Sequence, residues 1–160
     1  IPQSWLPTVM VSAVQTNALK NYWKNWTRLR NAVYVTYPYA RSASKVIQSV
    51  NAELANVQDE KIRKQIIKSR EKELKREFAD KVTSLSVYQG KVLMKLINRE
   101  TGNNCYQLIK EYKGGLNAGL WQTVAFVFGS SLKQPYSPNG DDQEIEKLVL
   151  EVQKVYGTKG

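Results

Sequence analysis

Two short segments hold the residues best suited to bind or transform a ligand. "TYPYAR" (36–41) sets two tyrosines and an arginine around a proline, and "NRETGN" (98–103) sets an arginine beside a glutamate. Tyrosine rings beside an arginine suit a sugar or an anion, and a glutamate in a cleft can act as a general acid. The candidate ligand-binding residues are therefore Tyr37, Tyr39, Arg41, Arg99 and Glu100.

Both segments also have a structural interpretation. Pro38 disfavours helical geometry at the preceding residue and suits the first turn of a helix, so we expect it to end one helix and begin the next. Tyr37 and Tyr39 would then pack their rings against neighbouring helices, and this interpretation is favoured over ligand binding. For Glu100, the structural alternative is a salt bridge or a helix cap.

A third candidate is a basic surface in the first predicted helix. Lys20, Lys24 and Arg28 recur every four residues and form a candidate anion-binding face. No acidic residue precedes Glu53, and the whole chain carries a net charge of +10. Such a field favours anionic partners without naming one.

Tryptophans in the same helix bear on what that partner is. Trp23 and Trp26 fall at the spacing of an apolar stripe, away from the basic residues. Aromatic residues at this spacing are expected in the core, where they cannot stack on bases. The pattern therefore weighs against a nucleic-acid partner.

The composition excludes several kinds of site. The chain has no histidine and a single cysteine, Cys105. Catalytic triads that use histidine, histidine metal sites and cysteine-rich zinc sites are therefore excluded, and we predict no metal and no cofactor. The S-x-x-K pattern of serine acylases occurs three times, but its S-D-N and K-T-G companions are absent.

The spacing of apolar residues predicts a mainly α, single-domain bundle of about six or seven helices. The domain is expected over residues 17–156, after an extended amino-terminal segment (1–16) and before a short tail (157–160). The predicted helices cover 17–36, 38–54, 59–81, 87–100, 105–112, 116–129 and 141–156.

Three of these elements carry further expectations. The apolar helix 116–129 is expected to be the most buried, and the charged helix 58–81 to be largely exposed. No run is long and apolar enough to suggest a transmembrane segment. Residues 92–110 could form a β-hairpin instead of two helices, since Thr-Gly-Asn-Asn is good turn chemistry, and this alternative stays open.

Longer stretches give the sequence a family resemblance. The segments "NYWKNWTRLRNAVYVTYPYA" (21–40), "SVYQGKVLMKLINRETGNNCYQLIKEYKG" (86–114) and "WQTVAFVFGSSLKQPYSPNGDD" (121–142) resemble a family of exported Bacteroidetes proteins classed as a domain of unknown function. The resemblance covers roughly residues 20 to 155. It implies a helix-rich protein in the periplasm or at the cell surface, and it implies no activity, ligand or catalytic residue.

Three functions are compatible with these features. The first is a non-catalytic cell-envelope protein that binds another protein, an acidic glycan or lipid head groups. The second is an enzyme on envelope glycan that uses carboxylates, with Glu100 as the acid and with Arg99 and Tyr39 as positioning groups. The third is a nucleic-acid-binding domain that uses Lys20, Lys24 and Arg28.

Overall fold

The computed structural model describes residues 16–102 and 135–157, with residues 74–82 described by their backbone alone. Four α-helices make up most of these residues. They are α1 (Asn17–Ala55), α2 (Glu60–Thr83), α3 (Val87–Thr101) and α4 (Gln143–Val155). No strand occurs in the two described stretches, so the predicted all-α class is confirmed.

The number of helices differs from the prediction. The described residues hold four, where six or seven were expected for the chain, and one reason is that the first two predicted helices are a single helix. Those expected over 105–112 and 116–129 lie outside the described residues, as does the amino-terminal segment up to residue 15. The alternative β-hairpin over 92–110 is wrong for its first arm, because residues 92–101 belong to α3.

The expected helix boundary at Pro38 is wrong. Pro38 lies inside α1, a helix of 39 residues, with its ring exposed. Proline in a helix interior removes one hydrogen bond and clashes with the carbonyl four residues earlier, at a cost of about 3 kcal/mol. The stripe of buried residues explains why the helix continues, because it keeps spacings of three and four on both sides of Pro38. This stripe includes Val33, Tyr37, Ala40, Ser44, Ile47, Val50 and Leu54.

Local sequence fixes the ends of the helices. At the start of α1, the Thr16 hydroxyl accepts a hydrogen bond from the Leu19 amide at 3.3 Å. At the start of α3, Ser86 and Gln89 bond reciprocally in a capping box. The helix predicted over 87–100 ends at Gly102, which adopts the left-handed conformation with a φ of 69°.

The core lies between α1 and the other three helices. Helix α1 contacts each of them. Buried aliphatic side chains from α3 and α4 meet the α1 stripe, and Ile67 of α2 joins them. These side chains are Val92, Leu93, Leu96 and Ile97 from α3, and Ile145, Leu148, Val149 and Val152 from α4.

Most of the described side chains of α2 face water, as predicted for the charged helix. Its first turn is held by Asp59, whose carboxylate accepts from the amides of Lys61 and Ile62 at 2.7 and 3.1 Å. Glu60 and Lys64, one turn apart, pair at 2.9 Å. Such exposed pairs stabilise a helix only slightly, so the position of α2 depends more on its few buried side chains.

Replacing Pro38 tests whether α1 is a continuous helix that tolerates the proline at a cost. Pro38→Ala restores the amide and removes the clash, so we expect the free energy of unfolding to rise by about 2 kcal/mol after allowing for the more flexible unfolded chain. Urea denaturation followed by circular dichroism measures this difference. Arg41→Ala, at another exposed position of the same helix, is the matched control and should change stability little. A loss of stability in Pro38→Ala would mean that packing requires the proline.

Candidate functional site

Arg99 of α3 holds two carboxylates at once. Its Nε and one terminal nitrogen donate to the two oxygens of Glu146 on α4, both at 2.7 Å. Its other terminal nitrogen donates to Glu100 at 2.6 Å. A guanidinium paired with a carboxylate through two parallel hydrogen bonds is a strong and directional contact. It fixes α3 against α4 across 47 residues of sequence.

Tyr136, in the segment that leads into α4, completes the coordination of Glu146. Its hydroxyl donates to Glu146 Oε2 at 2.7 Å. The hydrogen bonds from Arg99 and Tyr136 lower the pKa of Glu146 against the opposing effect of burial. Burial and the neighbouring Glu146 raise the pKa of Tyr136. Glu146 is thus stabilised as a carboxylate and Tyr136 as a neutral hydroxyl.

A second ion pair lies one helical turn away. Lys95 of α3 pairs with Asp142, which is almost completely buried at the start of α4. The other oxygen of Asp142 accepts from the Ser137 amide at 3.0 Å, so this carboxylate also closes the turn before α4. Asp142 does not cap the helix with its side chain. We refer to Lys95, Arg99, Glu100, Tyr136, Asp142 and Glu146 as the α3–α4 polar cluster.

The chemistry available to this cluster is limited. A glycoside hydrolase needs two carboxylates with room for a sugar or a water between them. Here the Arg99 guanidinium occupies the position between Glu100 and Glu146. Both carboxylates are therefore engaged in holding the fold, and the cluster has the character of a structural clamp. Among the described residues, no three acidic or cysteine side chains form a group that could hold a metal ion.

The residues of "TYPYAR" lie in different environments along α1. Tyr37 is buried, and its hydroxyl accepts from the Gln153 side chain of α4 at 3.0 Å. Tyr39 is partly buried and packs against the core, whereas Arg41 is exposed. Of the five candidate ligand-binding residues, Arg99 and Glu100 are in direct contact, and Tyr37 belongs to the interface between α1 and α4.

The amino-terminal turns of α1 are unlike the rest of the helix, because they expose large apolar side chains. Leu19, Tyr22 and Trp23 are 42%, 53% and 49% exposed, and we call them the amino-terminal aromatic face. The Tyr22 and Trp23 rings meet edge to face at 5.6 Å, and Trp23 meets Trp26 in the same way at 5.8 Å. The expectation that Trp23 lies in the core is wrong, and Trp26 is only partly buried. Trp23 keeps the apolar spacing of the buried stripe, but it lies in the amino-terminal turns of α1, where this spacing does not lead to burial.

The predicted anion-binding residues lie beside this face. Lys20, Lys24 and Arg28 are all exposed. Arg28 is also engaged within the protein, since its guanidinium lies 4.1 Å from the centre of the Tyr88 ring of α3. Lys20 and Lys24 are therefore the cations of this surface that are best placed to meet a partner.

A third ionic contact separates the aromatic face from the core. Glu151 of α4 accepts from Arg30 at 2.8 Å and from the Tyr34 hydroxyl at 2.8 Å. These hydrogen bonds lower the pKa of Glu151 and raise the pKa of Tyr34. The Arg30 guanidinium also lies 5.8 Å from the Trp26 ring. On the amino-terminal side of this contact, Trp26 and Leu29 still pack against the core, and residues 16–25 are exposed.

Comparison with known proteins identifies the family of the chain. The profile of the domain of unknown function DUF4294 matches residues 1–151. The chain belongs to this family. No curated protein and no solved structure matches the chain. In the two described stretches, no helix combines the length and apolar character needed to cross a bilayer.

The α3–α4 polar cluster predicts unequal effects for its two glutamates. Glu146→Gln removes the charge that accepts two bonds from Arg99 and one from Tyr136, and should lower the free energy of unfolding by about 2 kcal/mol, between the values for surface and buried pairs. Glu100→Gln is the matched control on the same guanidinium and should cost less than about 1 kcal/mol. Chemical denaturation at neutral pH measures both, and equal effects would contradict the assigned roles.

The lowered pKa of Glu146 predicts that its contribution to stability depends on pH. The folded state lowers the pKa of Glu146 below its ordinary value of 4.5, so the unfolded state binds more protons as acid is added. Its stabilisation is therefore complete above about pH 5 and is lost as the pH falls through the folded-state pKa. The stability difference between the wild type and Glu146→Gln should shrink in that acidic range. A difference that stays constant down to the acid transition would contradict the lowered pKa.

Proposed function

We propose that this protein is a non-catalytic binding protein of the cell envelope, and that the amino-terminal aromatic face with Lys20 and Lys24 is the surface where an anionic partner docks. The observation that carries the proposal is the exposure of Leu19, Tyr22 and Trp23 beside two exposed lysines. Exposed aromatic residues next to cations are typical of binding surfaces.

The charge of the surrounding sequence supports an anionic partner. The chain carries a net charge of +10, and no acidic residue occurs before Glu53. The surface therefore lies in a part of the chain whose charged side chains are all cationic, which favours encounter with an anion. The envelope location follows from the resemblance of residues 21–40, 86–114 and 121–142 to exported Bacteroidetes proteins.

The geometry gives less support to the carboxylate enzyme. Its expected acid, Glu100, pairs with Arg99, and the second nearby carboxylate, Glu146, pairs with the same guanidinium. A substrate would have to displace the contact that joins α3 to α4. Breaking the Arg99–Glu146 pair each time a substrate binds would cost considerable free energy.

A single-stranded nucleic acid is a second candidate partner. Exposure of Trp23 removes the objection that this ring lies in the core, and Tyr22 is exposed beside it. Rings beside cations can stack on bases while the cations meet phosphates. The same surface would serve both partners, so the binding experiment includes an oligonucleotide.

Charge reversal tests the proposed surface. Lys20→Glu with Lys24→Glu should weaken binding to soluble dextran sulfate about tenfold or more at low salt, because each cation near an anionic surface contributes on the order of 1 kcal/mol. Lys68→Glu with Lys72→Glu is the matched control, since these lysines of α2 are also exposed and also lie four residues apart. Fluorescence titration gives both dissociation constants.

The control distinguishes binding at a specific surface from binding that depends only on the net charge of the protein. Equal losses in the two double variants would show that binding depends only on total charge and would overturn the proposed surface. Binding of a single-stranded oligonucleotide with a much lower dissociation constant than dextran sulfate would favour the nucleic-acid function instead.

A further inference from the structure

We propose that the amino-terminal end of α1 docks on the interfacial region of a bilayer that contains anionic lipid, with Leu19, Tyr22 and Trp23 among the lipid head groups and with Lys20 and Lys24 on their phosphates. This inference rests on the proposed function and names its partner class. The residue types fit, because tyrosine and tryptophan favour the level of the head groups, where one end of the side chain is apolar and the other is hydrated.

The spacing puts the apolar side chains on one side of the helix. Tyr22 and Trp23 follow Leu19 by three and four residues, so both lie on the same side of the helix as Leu19. Lys20 and Lys24 are four residues apart and form a basic row on another side of the same turns. A helix with aromatic and leucine side chains on one face and lysines beside it lies in the plane of a membrane interface.

The rings are ordered before any partner binds. Tyr22 meets Trp23 edge to face, and Trp23 meets Trp26, which packs against the core. The series of ring contacts connects the exposed face to the folded domain. Less rotational freedom is lost on binding when side chains are already held in place.

Two acidic side chains of α4 are paired with cations of the protein. Glu144 pairs with Lys147 at 2.9 Å. Glu151 pairs with Arg30 at 2.8 Å. Both carboxylates therefore have cations of the protein beside them, and the exposed Lys20 and Lys24 supply positive charge that is complementary to lipid phosphate.

The apolar content of the face favours a bilayer over a dissolved polyanion. A glycan or a nucleic acid could use the lysines and the faces of the rings, but it offers little that would bury Leu19 or the edges of the aromatic rings. The head-group region adjoins hydrocarbon, so it accommodates both the cations and the apolar side chains. About half of each of the three apolar side chains is available for this burial.

Vesicle sedimentation with the full chain tests the inference. The wild-type protein is mixed with vesicles of phosphatidylcholine alone and with vesicles that also contain phosphatidylglycerol, and the bound fraction is measured after centrifugation. We expect binding to the anionic vesicles and little to the neutral ones, and Lys20→Glu with Lys24→Glu should lower the partition coefficient about tenfold or more.

An aromatic double variant separates membrane docking from attraction by charge alone. Tyr22→Ala with Trp23→Ala should lower partition onto the anionic vesicles about tenfold or more and leave binding to dextran sulfate within about threefold. Val155→Ala with Tyr156→Ala is the matched control, because these exposed side chains lie at the far end of α4, and it should partition like the wild type. Unchanged thermal melting in all variants verifies the fold.

The results of these experiments distinguish failure of the bilayer inference from failure of the proposed function. Binding to dextran sulfate without binding to anionic vesicles would overturn the bilayer inference and leave the proposed function standing. Equal partition of the aromatic double variant and the wild type would also overturn it. Absence of binding to either anionic probe at low salt would overturn the proposed function and this inference with it.

Discussion

The continuity of α1 through Pro38 determines how the described part of the protein is arranged. A continuous helix of 39 residues is about 58 Å long, whereas α3 and α4, with 15 and 13 residues, are about 22 and 20 Å long. Leu19, Tyr22 and Trp23 lie in the first two turns of this long helix and are exposed there, so α1 has an exposed apolar end.

Polar contacts place the shorter helices more specifically than aliphatic packing alone could. Valine, leucine and isoleucine at helical spacing permit several ways of sliding or rotating α4 against α1 and α3. The Arg99–Glu146 and Arg30–Glu151 pairs are directional, start five residues apart on α4 and reach different neighbouring helices. Together with the bond from Gln153 to Tyr37, they define one register for α4. The same contacts explain why the charged residues that first suggested catalysis belong to the scaffold.

Local features of the fold could be predicted from the sequence. The start of α3 at Ser86 and its end at Gly102 follow from capping chemistry and from the conformational freedom of glycine, which act over a few residues. The stripe of apolar residues and the exposed position of α2 follow from periodicity and charge. These signals need no knowledge of which helices are neighbours.

Features that depend on tertiary contacts could not be predicted in the same way. Pro38 ends a helix by local rules, and only the in-phase burial of residues on both sides of it lets α1 continue. Lys95 and Arg99 are four residues apart in the sequence, and so are Asp142 and Glu146, with which they pair. The equal spacing is visible in the sequence, but it does not show which residues pair with each other. Trp23 has core spacing, and only its tertiary surroundings leave it exposed.

The separation of the two ends of α1 in solution tests its continuity most directly. Asn21→Cys and Ser49→Cys place spin labels at exposed positions on either side of Pro38, and Cys105→Ser removes the native thiol. For a continuous helix, pulsed electron paramagnetic resonance should give a distance distribution centred near 42 Å between the backbone positions, before the length of the labels is considered. A distribution centred below about 30 Å would show that the chain turns at Pro38, and would contradict both the single long helix and the exposed end that depends on it.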